Sequence, residues 1–90
     1  MDNIKYVLRC HLKELCERDG ISANKLATAI DERRSTLNDL INNNDMETRH
    51  IPARLIAKLC GYFKVSPAEL FTTWTINIET DEERRIEIDS

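Results

Sequence analysis

Five side chains between positions 33 and 38 can bind a partner rich in hydrogen-bond acceptors. Arg33 and Arg34 stand together, Ser35 and Thr36 follow, and Asn38 lies four positions after Arg34. An arginine fork can hold a phosphate or O6 and N7 of guanine, and asparagine can bond N6 and N7 of adenine. A threonine methyl can meet a thymine methyl. The alternative is that these residues form an ordinary solvated surface, with the arginines paired to nearby acids.

A polar stretch from position 42 to position 50 adds groups that commonly contact phosphates. Amide side chains, backbone N–H groups and arginine all serve in that role. The candidates here and on the preceding segment are Asn42, Asn43, Arg49, Asn24 and Lys25. Three consecutive asparagines at positions 42–44 also end a helix well, because asparagine tolerates the left-handed conformation. Helix termination is the simpler explanation for each single asparagine.

The sequence offers no recognisable catalytic or metal-binding arrangement. His11 and His50 have no nucleophile and orienting acid at a familiar spacing. The cysteines, Cys10, Cys16 and Cys60, are odd in number and form no CxxC pair, so a zinc site or disulfide framework is not expected. The two glycines are isolated and form no phosphate-cradling loop. We therefore expect no enzyme, no metal, no cofactor and no small-molecule substrate.

Charge is unevenly distributed along the 90 residues, whose formal net charge is −3. Residues 1–72 hold 11 basic and 10 acidic residues, whereas residues 73–90 hold 2 and 6. The acidity therefore belongs to the tail and does not exclude a basic face on the body. No apolar run approaches the ~20 residues that span a bilayer, and no secretory signal is recognisable. These features favour a cytoplasmic location.

Apolar periodicity predicts five short helices that would position these side chains. The first covers about residues 3–18, and the third carries Leu37 and Leu40 inward. Residues suited to helix starts mark the second, fourth and fifth helices, at Ser22, Pro52 and Ser66, the last within a capping box. The expected fold class is all-α: a compact five-helix domain followed by a C-terminal β-hairpin or extended tail.

The tail changes from helical to alternating periodicity, which indicates strands. Its apolar positions are Trp74, Ile76, Ile78, Ile86 and Ile88. A two-stranded hairpin is marginal alone in water, so its apolar face should pack on the helices or on a second copy. We expect a domain at residues 1–71 and an acidic extension at residues 72–90, with the five apolar residues as candidate dimer contacts. A disordered tail on a monomer is the rival interpretation.

Several ordered motifs resemble the Cro/lambda-repressor-like family, also called XRE-like, over roughly residues 4–71. The family shows a Gly-x-Ser junction, a Leu-Ala pair, a Ser/Thr-rich recognition helix and a later Leu and Val-Ser-Pro series. The matching segments are Gly20-Ile21-Ser22, Leu26-Ala27, Arg34-Ser35-Thr36-Leu37-Asn38, Ile56-Ala57-Lys58-Leu59-Cys60 and Val65-Ser66-Pro67-Ala68-Glu69-Leu70. The resemblance implies that the second and third helices form a helix-turn-helix whose third helix enters the DNA major groove.

Five positions depart from the family pattern. Ala23 stands where a glutamine often contacts DNA, Asp31 replaces the usual turn glycine, and Glu32 replaces an apolar residue. Arg33 occupies the place of a capping serine, and Asp39 that of a basic or polar residue. Acids near DNA weaken binding, so these changes favour modest affinity or another partner.

The combined hypothesis is a transcriptional regulator that binds specific sequences of double-stranded DNA. It would be a small phage- or prophage-type repressor that occludes promoters as a homodimer. Arg34, Ser35, Asn38 and Thr36 would contact bases, and Arg33 would contact phosphate with the five candidates named above. The alternative is a protein-binding module, such as the antitoxin of a toxin–antitoxin pair, with a protein partner on the acidic tail.

Overall fold

The computed structural model describes residues 3–87, which form five helices and one three-stranded sheet. The first half of the chain contains the helix-turn-helix, and the second half returns to close the sheet. In chain order the elements are β1 (Ile4–Cys10), α1 (Leu12–Asp19), α2 (Ala23–Ile30), α3 (Arg34–Ile41), α4 (Ala53–Phe63), α5 (Pro67–Leu70), β2 (Phe71–Asn77) and β3 (Glu83–Arg85).

The predicted all-α class is wrong, because the molecule contains a three-stranded antiparallel sheet. The error lies in the expected helix at residues 3–18, which is strand β1 followed by the eight-residue α1. Residues 4–8 fit both periods, since Ile4 and Leu8 are one helical turn apart while Ile4, Tyr6 and Leu8 also alternate. Pairing with β2, which lies far along the chain, makes this segment a strand. Tertiary context often overrides local periodicity in this way.

The sheet has the order β1-β2-β3, with both pairs antiparallel. The β1–β2 register runs from Ile4 opposite Asn77 to Cys10 opposite Phe71. The expected hairpin is present as β2 and β3, but its second strand is Glu83–Arg85 and ends before Ile86. Asn77 turns the chain by accepting backbone hydrogen bonds from residues 79 and 80 on its side-chain oxygen.

Helix ends follow the sequence signals, with one exception. Gly20 ends α1 in the left-handed conformation at φ 64°, and the Ser22 hydroxyl caps α2 by accepting from the Lys25 amide. Pro67 is the first residue of α5, as expected, but the Ser66 side chain makes no capping hydrogen bond. The predicted capping box is therefore incomplete, and α5 is a single turn.

One apolar core lies among the helices and at the helical end of the sheet. Its most enclosed members are leucines from all five helices, together with Cys10 at the end of β1. Burial raises the pKa of the Cys10 thiol to about 11, so this cysteine is a neutral, apolar core residue. Within residues 3–87 no group of side chains is arranged to hold a metal ion, and no helix could span a membrane.

Candidate nucleic-acid interface

Helices α2 and α3 pack through their apolar faces and leave the start of α3 in solvent. Leu26 and Ile30 of α2 and Leu37 and Leu40 of α3 are buried in the common core. The two helices are joined by a turn at residues 31–33. This arrangement fixes the orientation of α3 by core packing, so its outer face is free to meet a partner.

Asp31 makes this turn in the left-handed conformation, at φ 55°. Its N–H bonds the carbonyl of Thr28, and the next amide, of Glu32, bonds the carbonyl of Ala27. Aspartate is one of the few residues other than glycine that adopt this conformation readily. Replacement of the usual turn glycine therefore leaves the turn intact.

The expected base-contacting residues lie together on the first turn and a half of α3. Arg34 and Ser35 are exposed, whereas Thr36 and Asn38 are half-buried. The Arg34 Nη1 donates to Oδ1 of Asn24 at 3.2 Å, which ties the start of α3 to the start of α2. Arg34 thus has a defined direction while most of its five N–H donors remain available.

Arg33 occupies the N-cap position of α3 in an extended conformation. It is exposed, and its side chain makes no capping hydrogen bond. Within the described part of the chain no side chain replaces the missing serine cap, so the first amides of α3 are left to water or to a ligand. This geometry suits a negatively charged oxygen close to the Arg33 and Arg34 guanidinium groups.

The six phosphate candidates differ in how far their side chains are already engaged. Arg33, Lys25 and Asn42 are exposed, and Asn24 is exposed but holds Arg34. The other two, Asn43 and Arg49, are engaged within the fold. Four of the six thus present surface groups around the helix-turn-helix.

Asn43 connects the end of α3 to strand β1. Its amide nitrogen donates to the carbonyl of Cys10 at 3.0 Å, and its oxygen accepts from the Cys10 amide at 2.7 Å. Asn43 has φ 54°, a conformation that asparagine tolerates. The pair of bonds fills the backbone positions that a neighbouring strand would occupy. Sequence reasoning missed this role because it depends on a contact across 33 residues.

Arg49 folds back onto α3. Its Nη2 donates to Asp39 at 2.9 Å and its Nε to the carbonyl of Asn44 at 3.2 Å. Asn44 also donates to the Asp39 carboxylate. The negative charge of Asp39 is thereby balanced by Arg49, whereas an unpaired carboxylate at this position would repel a phosphate.

Glu32, the other unexpected acid, is held by two cations from α4. Arg54 donates to it at 3.1 Å and Lys58 at 2.9 Å, and its side chain is only 11% exposed. The hydrogen bond from Arg54, and next that from Lys58, lowers the pKa of the carboxyl to about 2. Glu32, in the turn before α3, thus forms ion pairs with α4 at the position where the family pattern has an apolar residue. The four-residue spacing of Arg54 and Lys58 indicates a basic helix face, but it does not indicate that Glu32 lies against that face.

The expected dimer contacts of the tail have different environments. Trp74 lies in the central strand, with the Arg9 guanidinium 4.5 Å from its ring centroid and its indole N–H donating to Thr72. Ile76 lines a cleft of about 460 Å³ between the sheet and the loop that contains Met46. Ile78 is 60% exposed and Ile86 half-buried, while Ile88 lies outside the described residues.

Comparison with protein families identifies the family of this chain. A family model described as the Cro/C1-type HTH DNA-binding domain matches residues 11–74. No curated protein and no solved structure matches this chain. The matched segment contains α1 to α5 and the first part of β2, including the turn and the exposed start of α3 described above. The chain therefore belongs to the Cro/C1-type helix-turn-helix family of DNA-binding domains.

Proposed function

We propose that this protein is a sequence-specific transcriptional repressor that binds double-stranded DNA as a homodimer and occludes promoters. The supporting observation is the exposed Arg33-Arg34-Ser35 start of α3 in a helix-turn-helix whose opposite face is buried. A small regulator of the phage or prophage kind suits the small size of this domain. DNA binding follows from the family, and the repressor role is our inference.

Arg34 is the principal base-reading residue in this proposal. Its contact with Asn24 reduces the rotamer freedom that binding would otherwise have to restrict. Ser35 lies beside it, Asn38 one turn further along the helix, and Thr36 at the margin of the same surface. Together these groups can read a few adjacent base pairs through the major groove.

The phosphate contacts lie around this reading surface. Arg33, Lys25 and Asn42 have exposed side chains, and Asn24 can contribute while it holds Arg34. Arg49 retains its Nη1 donors, because only Nε and Nη2 are bonded in the described residues. The side chain of Asn43 bonds Cys10 and its backbone N–H bonds the carbonyl of Leu40, so Asn43 is the least available of the six phosphate candidates.

Dimerisation is proposed because one recognition helix reads too few base pairs to be selective in a genome. A two-fold dimer doubles the recognised sequence, with half-sites about one helical turn, ~34 Å, apart. The bound DNA sequence should therefore be an inverted repeat.

Selection of bound sequences from a random duplex library tests this function. The wild type should enrich a two-fold symmetric motif, and Arg34→Ala/Asn38→Ala should lose or blur it. The control is Arg84→Ala, which also removes a cation but lies on β3 beside Glu82. Failure of the wild type to enrich any motif at low salt, where phosphate contacts are strongest, contradicts the proposal.

A protein-binding role, as in an antitoxin, is the second candidate, favoured by the excess of acids in residues 73–90. The acids near α3 do not favour this protein-binding role, because Asp39 and Glu32 are paired with cations within the fold. Isolation of one stoichiometric protein partner in the absence of DNA, together with no enriched motif, would favour this role over the repressor.

A further inference from the structure

Strand β1 has an open edge at the border of the sheet. Among the described residues, the order β1-β2-β3 places β2 alone beside it. The amide of His11 bonds the carbonyl of Leu70, and the carbonyl of Asn3 accepts from the amide of Ile78, so odd-numbered residues of this segment bond toward β2. Because bonding directions alternate along an antiparallel strand, even-numbered residues direct their N–H and C=O groups outward.

Three of these outward residues have no backbone partner among residues 3–87. At Cys10 the outward groups are satisfied by Asn43. No hydrogen bond among residues 3–87 uses the outward backbone groups of Ile4, Tyr6 or Leu8. A row of unpaired donors and acceptors of this length is a template for another strand.

The same three residues carry exposed apolar side chains on one face. Ile4 is 43% exposed, Tyr6 69% and Leu8 37%. They project on the face opposite the one where Lys5 pairs with Glu47 of the 42–52 loop. The loop therefore contacts the strand at Cys10 and at Lys5, and between these contacts it is separated from the strand by a cleft that Leu8 also lines.

We propose that β1 pairs antiparallel with β1 of a second copy, across a two-fold axis at Tyr6. Tyr6 then faces Tyr6 of the second copy, and Ile4 faces Leu8 on either side. Two three-stranded sheets become one of six strands, and the exposed apolar rows meet as cross-strand pairs. This contact names the dimer surface of the proposed repressor and rests on that proposal only for its biological role.

Charge selects this register over its neighbours. An axis at Tyr6 places Lys5 opposite Val7 and Asn3 opposite Arg9, so no like charges meet. An axis at Lys5 places two lysines face to face, and an axis at Val7 places Lys5 opposite Arg9, both of which are unfavourable. An axis at Leu8 requires the outward groups of Cys10, which Asn43 already occupies.

The register also sets the spacing between the two copies along the joined sheet. Cys10 and its counterpart lie eight strand positions apart, about 27 Å along the sheet. Asn43, two residues after the end of α3, bonds Cys10, so the points where the two copies of this segment join their strands are separated by about this distance. Half-sites one helical turn apart, ~34 Å, require a separation of the same scale.

Charge reversal at the axis tests the contact. Tyr6→Lys and Tyr6→Glu each place like charges opposite one another across the axis, so each variant should run as a monomer, at half the wild-type mass. Mixing the two variants should restore a dimer that contains one copy of each. The measurement is sedimentation velocity at several concentrations without DNA, with circular dichroism and thermal melting to show that each variant is folded.

The matched control is Ile78→Glu, a charge at an exposed apolar residue of the hairpin tail. It should remain dimeric. The proposal is overturned by a wild type that is monomeric at every concentration, by dimeric Tyr6 variants, or by a mixture that stays monomeric. Loss of the dimer in Ile78→Glu alone would assign the contact to the hairpin instead.

Failure of this contact and failure of the repressor function have different signatures. Tyr6 lies outside α2 and α3, so the monomeric variants should still bind a single half-site duplex at low salt. A wild type that dimerises as described but selects no DNA motif contradicts the repressor and leaves the β1 contact standing. A wild type that selects an inverted-repeat motif, together with Tyr6 variants that remain dimeric, contradicts the β1 contact and leaves the repressor standing.

Discussion

Single side chains decide how an acidic protein presents a usable DNA-binding surface. The acids at positions 32 and 39 depart from the family pattern, but each is paired with cations of this chain. Arg33, Arg34 and Lys25, in contrast, are exposed around the start of α3. The surface charge near the recognition helix is therefore more positive than the residue count suggests.

Glu32 should stabilise the fold in a pH-dependent way. Its pKa is lowered from the ordinary 4.5 to about 2 by Arg54 and Lys58. A carboxyl whose pKa is lower in the folded state contributes stability above its unfolded pKa, and the contribution is lost as the pH falls through the folded pKa. The free energy of unfolding of the wild type should exceed that of Glu32→Gln at pH 6, and the difference should shrink between pH 4.5 and pH 2.

Urea unfolding of both proteins at a series of pH values measures this difference. Glu17→Gln, which changes an exposed carboxylate on α1, serves as the control and should show a smaller difference from the wild type. A constant difference between the wild type and Glu32→Gln across the acidic range would contradict a stabilising role for the ionised carboxylate.

At the scale of elements, the contact between α3 and β1 depends on one amide side chain. Asn43→Gly keeps a residue suited to φ 54° but removes both hydrogen bonds to Cys10. Loss of two partly buried hydrogen bonds should lower the free energy of unfolding by about 1–3 kcal/mol. Chemical denaturation measures this change directly.

Asp45→Gly is the matched control for this substitution. Asp45 is an exposed residue of the same loop with φ 56°, so glycine there changes the backbone cost in a similar way. Its stability should stay within about 0.5 kcal/mol of the wild type. Equal losses in the two variants would show that the side chain of Asn43 contributes nothing specific.

The elements also show which parts of this fold can be predicted from sequence. Helices α2 to α5 follow from local signals, such as the Ser22 cap and the Pro67 start. Strand β1 does not, because its residues satisfy two periods and only β2 distinguishes them. The exposed start of α3 was predictable because it depends on local signals. The partners of Glu32 and Asn43 were not predictable, because they lie on distant segments of the chain.

Across the whole molecule, the excess of acidic residues is concentrated at the end of the chain. Residues 1–72 are nearly neutral and residues 73–90 carry the negative charge, part of which is paired, as in Glu83 with Arg9. The net charge of −3 therefore opposes DNA only at long range. Short-range phosphate contacts should dominate, and they are sensitive to salt.

Lys25→Gln should weaken binding by about the same factor for every DNA sequence. Removal of one phosphate-binding cation should reduce the slope of log K against log salt by about 0.9, counted once for each copy in a dimer. Fluorescence anisotropy on the selected motif, from low to moderate salt, measures the slope. Arg84→Gln is the control, and an unchanged slope in Lys25→Gln would remove this residue from the interface.

The pairing of Cys10 with Phe71 joins segments about sixty residues apart, and this has a consequence for folding order. A ribosome releases β1 first, yet β1 cannot acquire its intramolecular partner until synthesis has passed Asn77. Helices α1 to α4 depend on nearer contacts, which form faster than distant ones. During synthesis the nascent chain therefore carries β1 without its partner strand. The pairing of β1 with β2 ends the period in which this apolar segment can aggregate.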